Sequence, residues 1–353
     1  MLARANHKMS IPRFVRGLAA AKVLRRYRPL LVNIEPTHRC NLACTFCDKA
    51  SSRATDMDTQ QGLRLIDELA DAGTCSVCFD GGEPLLHPGI GDFVARARGH
   101  RMRVALSTNG ILIPKRLDVV ANVDVVKVSL DGNEQQHDQG RGAGAYRRAL
   151  AGVRAARERG ISIILRMTVG AHNLDGWQSV LEEATRLGCK AIFQPATGSI
   201  MDQAAPPGSH SAAAQPYREV IDALMAAQRA GAPVANNKVC LQHLRWWPEP
   251  REVSFCAGGR IQAAISPEGW IYPCGRWGRH RAAPNAFTSG VKTAFAALAK
   301  PEAKECGNCW CTLTLASCFL WRLDPRLMQD LSIGATQRRA PGCIGSPAPR
   351  PLL

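Results

Sequence analysis

The chain has 353 residues, 46% of them hydrophobic, with fourteen cysteines and a formal net charge of +16. No run approaches the roughly 18 apolar residues of a membrane span, and Arg and Lys recur through the first 30 residues where a secretory signal needs an apolar core. The charge lies at the two ends, with eight basic and no acidic residues in 1–30 and fifteen against seven in 231–353, while the centre holds 22 of each; this disfavours a nucleic-acid enzyme with a basic barrel, and no nucleic-acid partner is expected.

In chain order, a basic amphipathic segment comes first, over residues 1–29. Ile11, Phe14, Val15, Leu18 and Ala19 recur at helical spacing, with Arg13, Arg16, Lys22, Arg25 and Arg26 between them. Such a segment can lie on an anionic membrane surface, meet an acidic partner, or pack on the domain that follows. From residue 31 to 195 short Val/Ile-rich strands alternate with amphipathic helices. Strands are expected at Leu30–Glu35, Ser76–Phe79, Arg103–Ser107, Val123–Leu130, Ile161–Thr168 and Lys190–Gln194. Helices are expected near 59–72, 90–99, 114–121, 145–159 and 175–187, with Gly73, Gly160 and Gly188 at helix stops. A Pro/Gly/Ser/Ala-rich stretch, 194–215, reads as a loop, and a helix near 216–230 closes the unit. The pattern predicts an α/β fold, a partial (β/α)6 TIM-like barrel over 30–230, with its chemistry at the carboxyl ends of the strands. Residues 231–353 turn irregular and rich in Cys, Trp, Gly and Pro, as expected of a small domain organised by metal.

Directly after the first strand stands Arg39-Cys-Asn-Leu-Ala-Cys-Thr-Phe-Cys-Asp48. Three thiolates on one loop, Cys40, Cys44 and Cys47, would leave one iron of a 4Fe–4S cluster without a protein ligand. A zinc knuckle or buried thiols are the other uses of such cysteines. Without an export signal the chain is expected in a reducing cytosol, where clustered spacings favour metal over disulfide. Asp80-Gly-Gly-Glu-Pro84 follows the second strand, Ser107-Thr-Asn-Gly110 the third and Ser129-Leu-Asp-Gly132 the fourth, while Arg166 lies on the fifth. Paired glycines let backbone approach a ligand closely, and an acid beside them can accept from an ammonium.

The cysteine spacing and these three turns together resemble the radical SAM superfamily across residues 30–195. The resemblance implies that Cys40, Cys44 and Cys47 hold a 4Fe–4S cluster whose open iron chelates S-adenosylmethionine. It also implies that Gly81, Gly82 and Glu83 meet the methionine amino group, Ser107 and Asn109 the ribose, and Phe46 the adenine. Ser129 and Asp131 would sit near the SAM carboxylate or substrate, and Arg166 would pair with that carboxylate. The implied chemistry is one-electron reduction of the cluster, by a donor such as flavodoxin or ferredoxin, and cleavage of SAM to a 5′-deoxyadenosyl radical that abstracts hydrogen from a peptide or small metabolite.

In the last third, Cys256 followed by Gly269-Trp-Ile-Tyr-Pro-Cys274 resembles the start of SPASM and Twitch auxiliary-cluster domains, and 262–273 reads as a hairpin turning at Pro267-Glu-Gly269. With Cys306 and Cys309 these complete one auxiliary 4Fe–4S site. Leu315 and Phe319 stand where the SPASM pattern has cysteines; Cys311, Cys318 and Cys343 remain for a second cluster, and a structural zinc is the third arrangement. Cys75, Cys78, Cys189 and Cys240 read as core thiols. A second resemblance, through Ile11-Pro, Arg26-Tyr-Arg-Pro, the cysteine loop and residues 129–138, is to the enzymes that add adenosyl to hopanoid lipids. It implies radical addition to a membrane-borne substrate and a membrane-peripheral location. A non-catalytic iron–sulfur electron-transfer scaffold is the alternative outside enzymes.

Overall fold

The computed structural model describes residues 11–49, 55–199, 207–249, 256–275, 282–298 and 309–327. Six parallel strands, β1 (Leu31–Ile34), β2 (Ser76–Phe79), β3 (Arg103–Thr108), β4 (Val125–Ser129), β5 (Ile163–Val169) and β6 (Lys190–Pro195), lie side by side in sequence order. Alternation sorts their side chains. Val32, Ile34, Val77, Phe79, Val104, Leu106, Val126, Val128, Leu165, Met167 and Phe193 are buried under the outer helices. The other face carries Asn33, Cys78, Ala105, Ser107, Lys127, Ser129, Arg166, Thr168 and Gln194, the inside of the expected partial barrel. Low in that interior Cys78, Ala105 and Val125 pack with Ile164 as a plug. The Lys127 ammonium reaches the Cys78 sulfur at 3.6 Å. Cys75, Cys189 and Cys240 are buried too, as expected of core thiols.

The outer layer comprises α2 (Thr59–Ala72), α3 (Ile90–Gly99), the short α4 (Leu117–Val120), α5 (Glu134–Arg141), α6 (Ala145–Glu158), α7 (Trp177–Arg186) and α8 (Ala214–Arg229). Gly73 ends α2 at φ +95°, a left-handed conformation that L side chains avoid. Before the sheet, α1 (Ile11–Val23) packs Phe14, Leu18 and Ala21 into the main core and seats Gly17 against Leu30. After α8 come α9 (Lys238–Leu244), the antiparallel hairpin β7 (Gln262–Ile265) and β8 (Ile271–Tyr272), α10 (Ala286–Ser289), α11 (Val291–Ala297) and α12 (Thr312–Arg322). β7 pairs in parallel with β1, Leu31 opposite Gln262 and Ile34 opposite Ile265, so the sheet runs β6-β5-β4-β3-β2-β1-β7-β8. The hairpin read in 262–273 is present, and it continues the barrel sheet.

Candidate functional site

A cleft of about 1250 Å³, its open mouth included, lies at the carboxyl ends of these strands and is lined by Cys40, Cys44 and Cys47. The three thiols are half-buried on the irregular loop after β1. What places the loop is the turn after β2. Gly82 N–H donates to Thr37 O at 2.9 Å and Glu83 N–H to Arg39 O at 2.8 Å. A Cβ on Gly82 would stand 2.2 Å from Arg39 O, and one on Gly81 would stand 2.4 Å from Thr37 O. The close approach that these glycines permit is therefore to the cysteine loop itself as well as to the cleft. From the other side α5 holds the loop, Gly140 O accepting from Thr45 N–H at 2.9 Å.

Gly81, Gly82, Ser107, Asn109, Ser129, Arg166 and Phe46 all line this cleft. Glu83 does not. Its carboxylate is fully buried beneath the floor, where it accepts from Thr108 Oγ1 at 2.9 Å, Asn109 N–H at 2.9 Å and Leu85 N–H at 3.1 Å. Burial pushes its pKa up to about 7 against those donors. Its place is to bind the turn after β2 to the end of β3. Asp131 is also buried below the cleft, where it accepts from Arg141 Nε at 2.5 Å and Thr168 N–H at 2.8 Å. Burial raises its pKa, but Arg141 and His137 prevail and hold it below the ordinary carboxylate value.

The structure adds Arg141, which the sequence reading passed over. Its Nη1 lies 3.8 Å from the Cys44 sulfur, and the guanidinium stands 5.2 Å over the Phe46 ring. Phe46 also stacks on His172 at 6.4 Å between ring centres. Asn109 Nδ2 reaches the Cys40 sulfur at 3.8 Å and Asn41 Oδ1 at 2.7 Å. Burial pushes the Cys44 thiol up to about 11 while Arg141 pulls it back. Three thiols on one loop, two of them with N–H donors at sulfur, suit the donor set of an anionic iron–sulfur cluster with an open iron. The cleft is also lined by Glu35, which accepts from Lys49 and meets His38 Nε2 at 2.8 Å, and by Asn33, Gln194 and Cys311. The signal for Arg141 was the Asn133-Glu-Gln-Gln136 capping box that opens α5.

The second cysteine group gathers differently from its sequence spacing. Cys318, on α12, shares hydrogen bonds with both Cys256 and Cys309, and Cys274 and Cys311 lie within electrostatic reach of Cys309. The hydrogen bond with Cys318 and burial hold the Cys256 thiol well above its ordinary value. Cys318 thus stands with the set expected for the first auxiliary site. Cys306 and Cys343 lie outside the described residues. Among the described residues no three His, Cys, Asp or Glu side chains are set as they would be around a single metal ion.

Residues 34–184 match the profile of the Radical SAM superfamily. Fe-coproporphyrin III synthase of Methanosarcina barkeri (strain Fusaro) is 38% identical over 146 residues, 39% of this chain and 36% of that protein. PqqA peptide cyclase of Ruegeria pomeroyi is 32% identical over 172 residues, 46% of each chain. The chain spans about half the length, or less, of these relatives. Streptococcus suis SuiB, solved with S-adenosylmethionine, superposes with a TM-score of 0.63 at 16% identity, over 81% of this chain and 70% of that one. At that identity the likeness is one of fold.

Proposed function

This chain carries the domain of the radical SAM enzymes at residues 34–184, and on that premise we propose that it is a radical SAM oxidoreductase or maturase acting on a peptide or small metabolite. The observation that carries the reading is the convergence of Cys40, Cys44 and Cys47 in one cleft with Gly81, Gly82, Ser107, Asn109, Ser129 and Arg166. The three thiolates would hold a 4Fe–4S cluster whose open iron takes the amino and carboxylate groups of S-adenosylmethionine; with an electron from a flavodoxin- or ferredoxin-type donor, the pair supplies a 5′-deoxyadenosyl radical. The chain's own residues do the rest. Asn109 and Arg141 keep donors at two of the sulfurs, which draws charge off the thiolates. Arg166, ion-paired with no carboxylate among the described residues, offers a guanidinium to the cofactor carboxylate. The plugged barrel interior closes the cleft from below and keeps water from that side.

The substrate class follows the relatives. PqqA peptide cyclase is named for a peptide, SuiB has been solved with the precursor peptide SuiA, and Fe-coproporphyrin III synthase is named for a small molecule. For the auxiliary cluster, Cys256, Cys274, Cys309 and Cys318 are the proposed ligands, with Cys306, Cys311 and Cys343 as further donors; the sulfur contacts of Cys318 support this set. Iron and sulfide analysis with low-temperature EPR on anaerobically reconstituted protein tests both parts, beside a Cys40/Cys44/Cys47 triple Ala variant. About eight irons in the wild type and about four in the variant, with a SAM-shifted signal and 5′-deoxyadenosine only in the wild type, are expected. Iron without any SAM cleavage by reduced protein would leave an electron-transfer scaffold. Four irons, all lost in the variant, would remove the auxiliary cluster.

A further inference from the structure

We propose that α1 docks this protein on an anionic phospholipid bilayer, the phosphate of a headgroup entering an arginine-lined cavity between α1 and the end of α2. Six large hydrophobic side chains stand exposed among the described residues, and four belong to α1 and the residue after it: Ile11 at 63%, Val15 at 55%, Val23 at 79% and Leu24 at 58%. Ile11, Val15 and Val23 fall with exposed Ala19 on one i, i+4 row along the whole helix. That row is turned away from Phe14, Gly17, Leu18 and Ala21, which already seat the helix on the barrel. An apolar row left outward on a helix whose other face is packed on the core marks a contact surface.

The charge around it chooses the partner. Residues 1–30 hold eight basic residues and no acid, and Arg16, Arg25 and Arg26 are exposed beside the row. On the flank toward α2 a cavity of about 890 Å³, its mouth included, is lined by Arg13, Arg16 and Arg28 against Asp71. Arg13 Nη2 donates to Ala70 O at 2.9 Å, which fixes one guanidinium at the cavity wall. Among the described residues neither Arg16 nor Arg28 is ion-paired. Three guanidiniums around one cavity match the oxygens of a phosphate, and aliphatic side chains beside them match the acyl boundary just below it. No described helix is long and apolar enough to cross a membrane, so the contact lies in the interface plane. The proposal does not depend on the SAM chemistry above.

Flotation of the full chain with vesicles tests it, using phosphatidylcholine alone and phosphatidylcholine with about 30 mol% phosphatidylglycerol. Binding to the anionic vesicles, weakened by salt, is expected. A Val15→Asp/Val23→Asp variant and an Arg16→Glu/Arg28→Glu variant should each bind at least tenfold more weakly, since one basic residue near an anionic bilayer is worth about fivefold. Circular dichroism should show both variants folded, because all four substituted side chains are exposed, and Arg16→Glu alone repeats the arginine test with a single change. Equal binding to both vesicle types, or wild-type binding by both variants, overturns the proposal. So does binding of glycerol phosphate lost in the arginine variant with no vesicle binding, which would mean a soluble phosphate ligand. Capture by immobilised polyglutamate alone would mean an acidic protein partner and overturn it equally.

Discussion

Gly82 shows how a single missing Cβ can decide the position of three thiols. With Arg39 O 2.2 Å from where the Cβ would stand, and His38 O 2.4 Å away, no rotamer relieves the clash. Gly82→Ala should cost about 2 kcal/mol and, more tellingly, lower the iron bound by the first cysteine group; a wild-type iron content would sink this account. Glu83 makes a different prediction. Its pKa is raised by burial to about 7, so between pH 4.5 and 7 the folded chain keeps a proton that the unfolded chain releases. This contribution is full below pH 4.5 and is lost as the pH rises through 7, to a sum of about 3 kcal/mol. Denaturant titrations at pH 5 and 7 should show that loss in the wild type and a flatter profile in Glu83→Gln; identical slopes would refute it.

Among the elements, α5 touches the cysteine loop directly. It presents Gln136, His137, Gly140 and Arg141 to the interior, one carbonyl to the cysteine loop and one guanidinium to Cys44 and Phe46. Asn133→Ala removes the side chain that accepts from Gln136 N–H at 3.0 Å. The expected loss is about 1 kcal/mol of stability and faster loss of iron to a chelator, read by thermal melts and iron release; unchanged release would separate α5 from the cluster loop. The same helix explains one limit of the sequence. Its buried face is polar, so no hydrophobic period announces it, whereas α2, α3 and β2 carry strong apolar patterns and stand where the pattern placed them. The turns that line the cleft were legible because glycine and short polar residues at strand ends are local signals. The direction in which Glu83 points was not, since Thr108 lies 25 residues on.

At the scale of the whole molecule, the two cysteine groups stand at one sheet. Cys311 lines the cleft of the first group while remaining within electrostatic reach of the second. Sequence spacing could not pair Cys318 with Cys256 and Cys309, because α12 reaches them only through the folding of the C-terminal third. Cys318→Ala should lower auxiliary iron while leaving the SAM-dependent EPR signal of the first cluster; loss of both signals together would show that the groups do not load separately. The expected hairpin was readable from its turn, but its place beside β1 was not, since nothing local specifies an edge more than two hundred residues away.

That placement bears on how the protein can be cut. β1 receives hydrogen bonds on both sides, and on the β7 side Leu31 N–H donates to Ile261 O at 3.0 Å and Glu35 N–H to Ile265 O at 2.9 Å. A fragment ending near residue 230 would leave those groups bare on a short, apolar strand, the kind of open border that recruits a strand from another copy. Such a fragment should be isolated as an aggregate, with its cysteine loop hanging from the frayed strand, and a usable truncation must retain the hairpin.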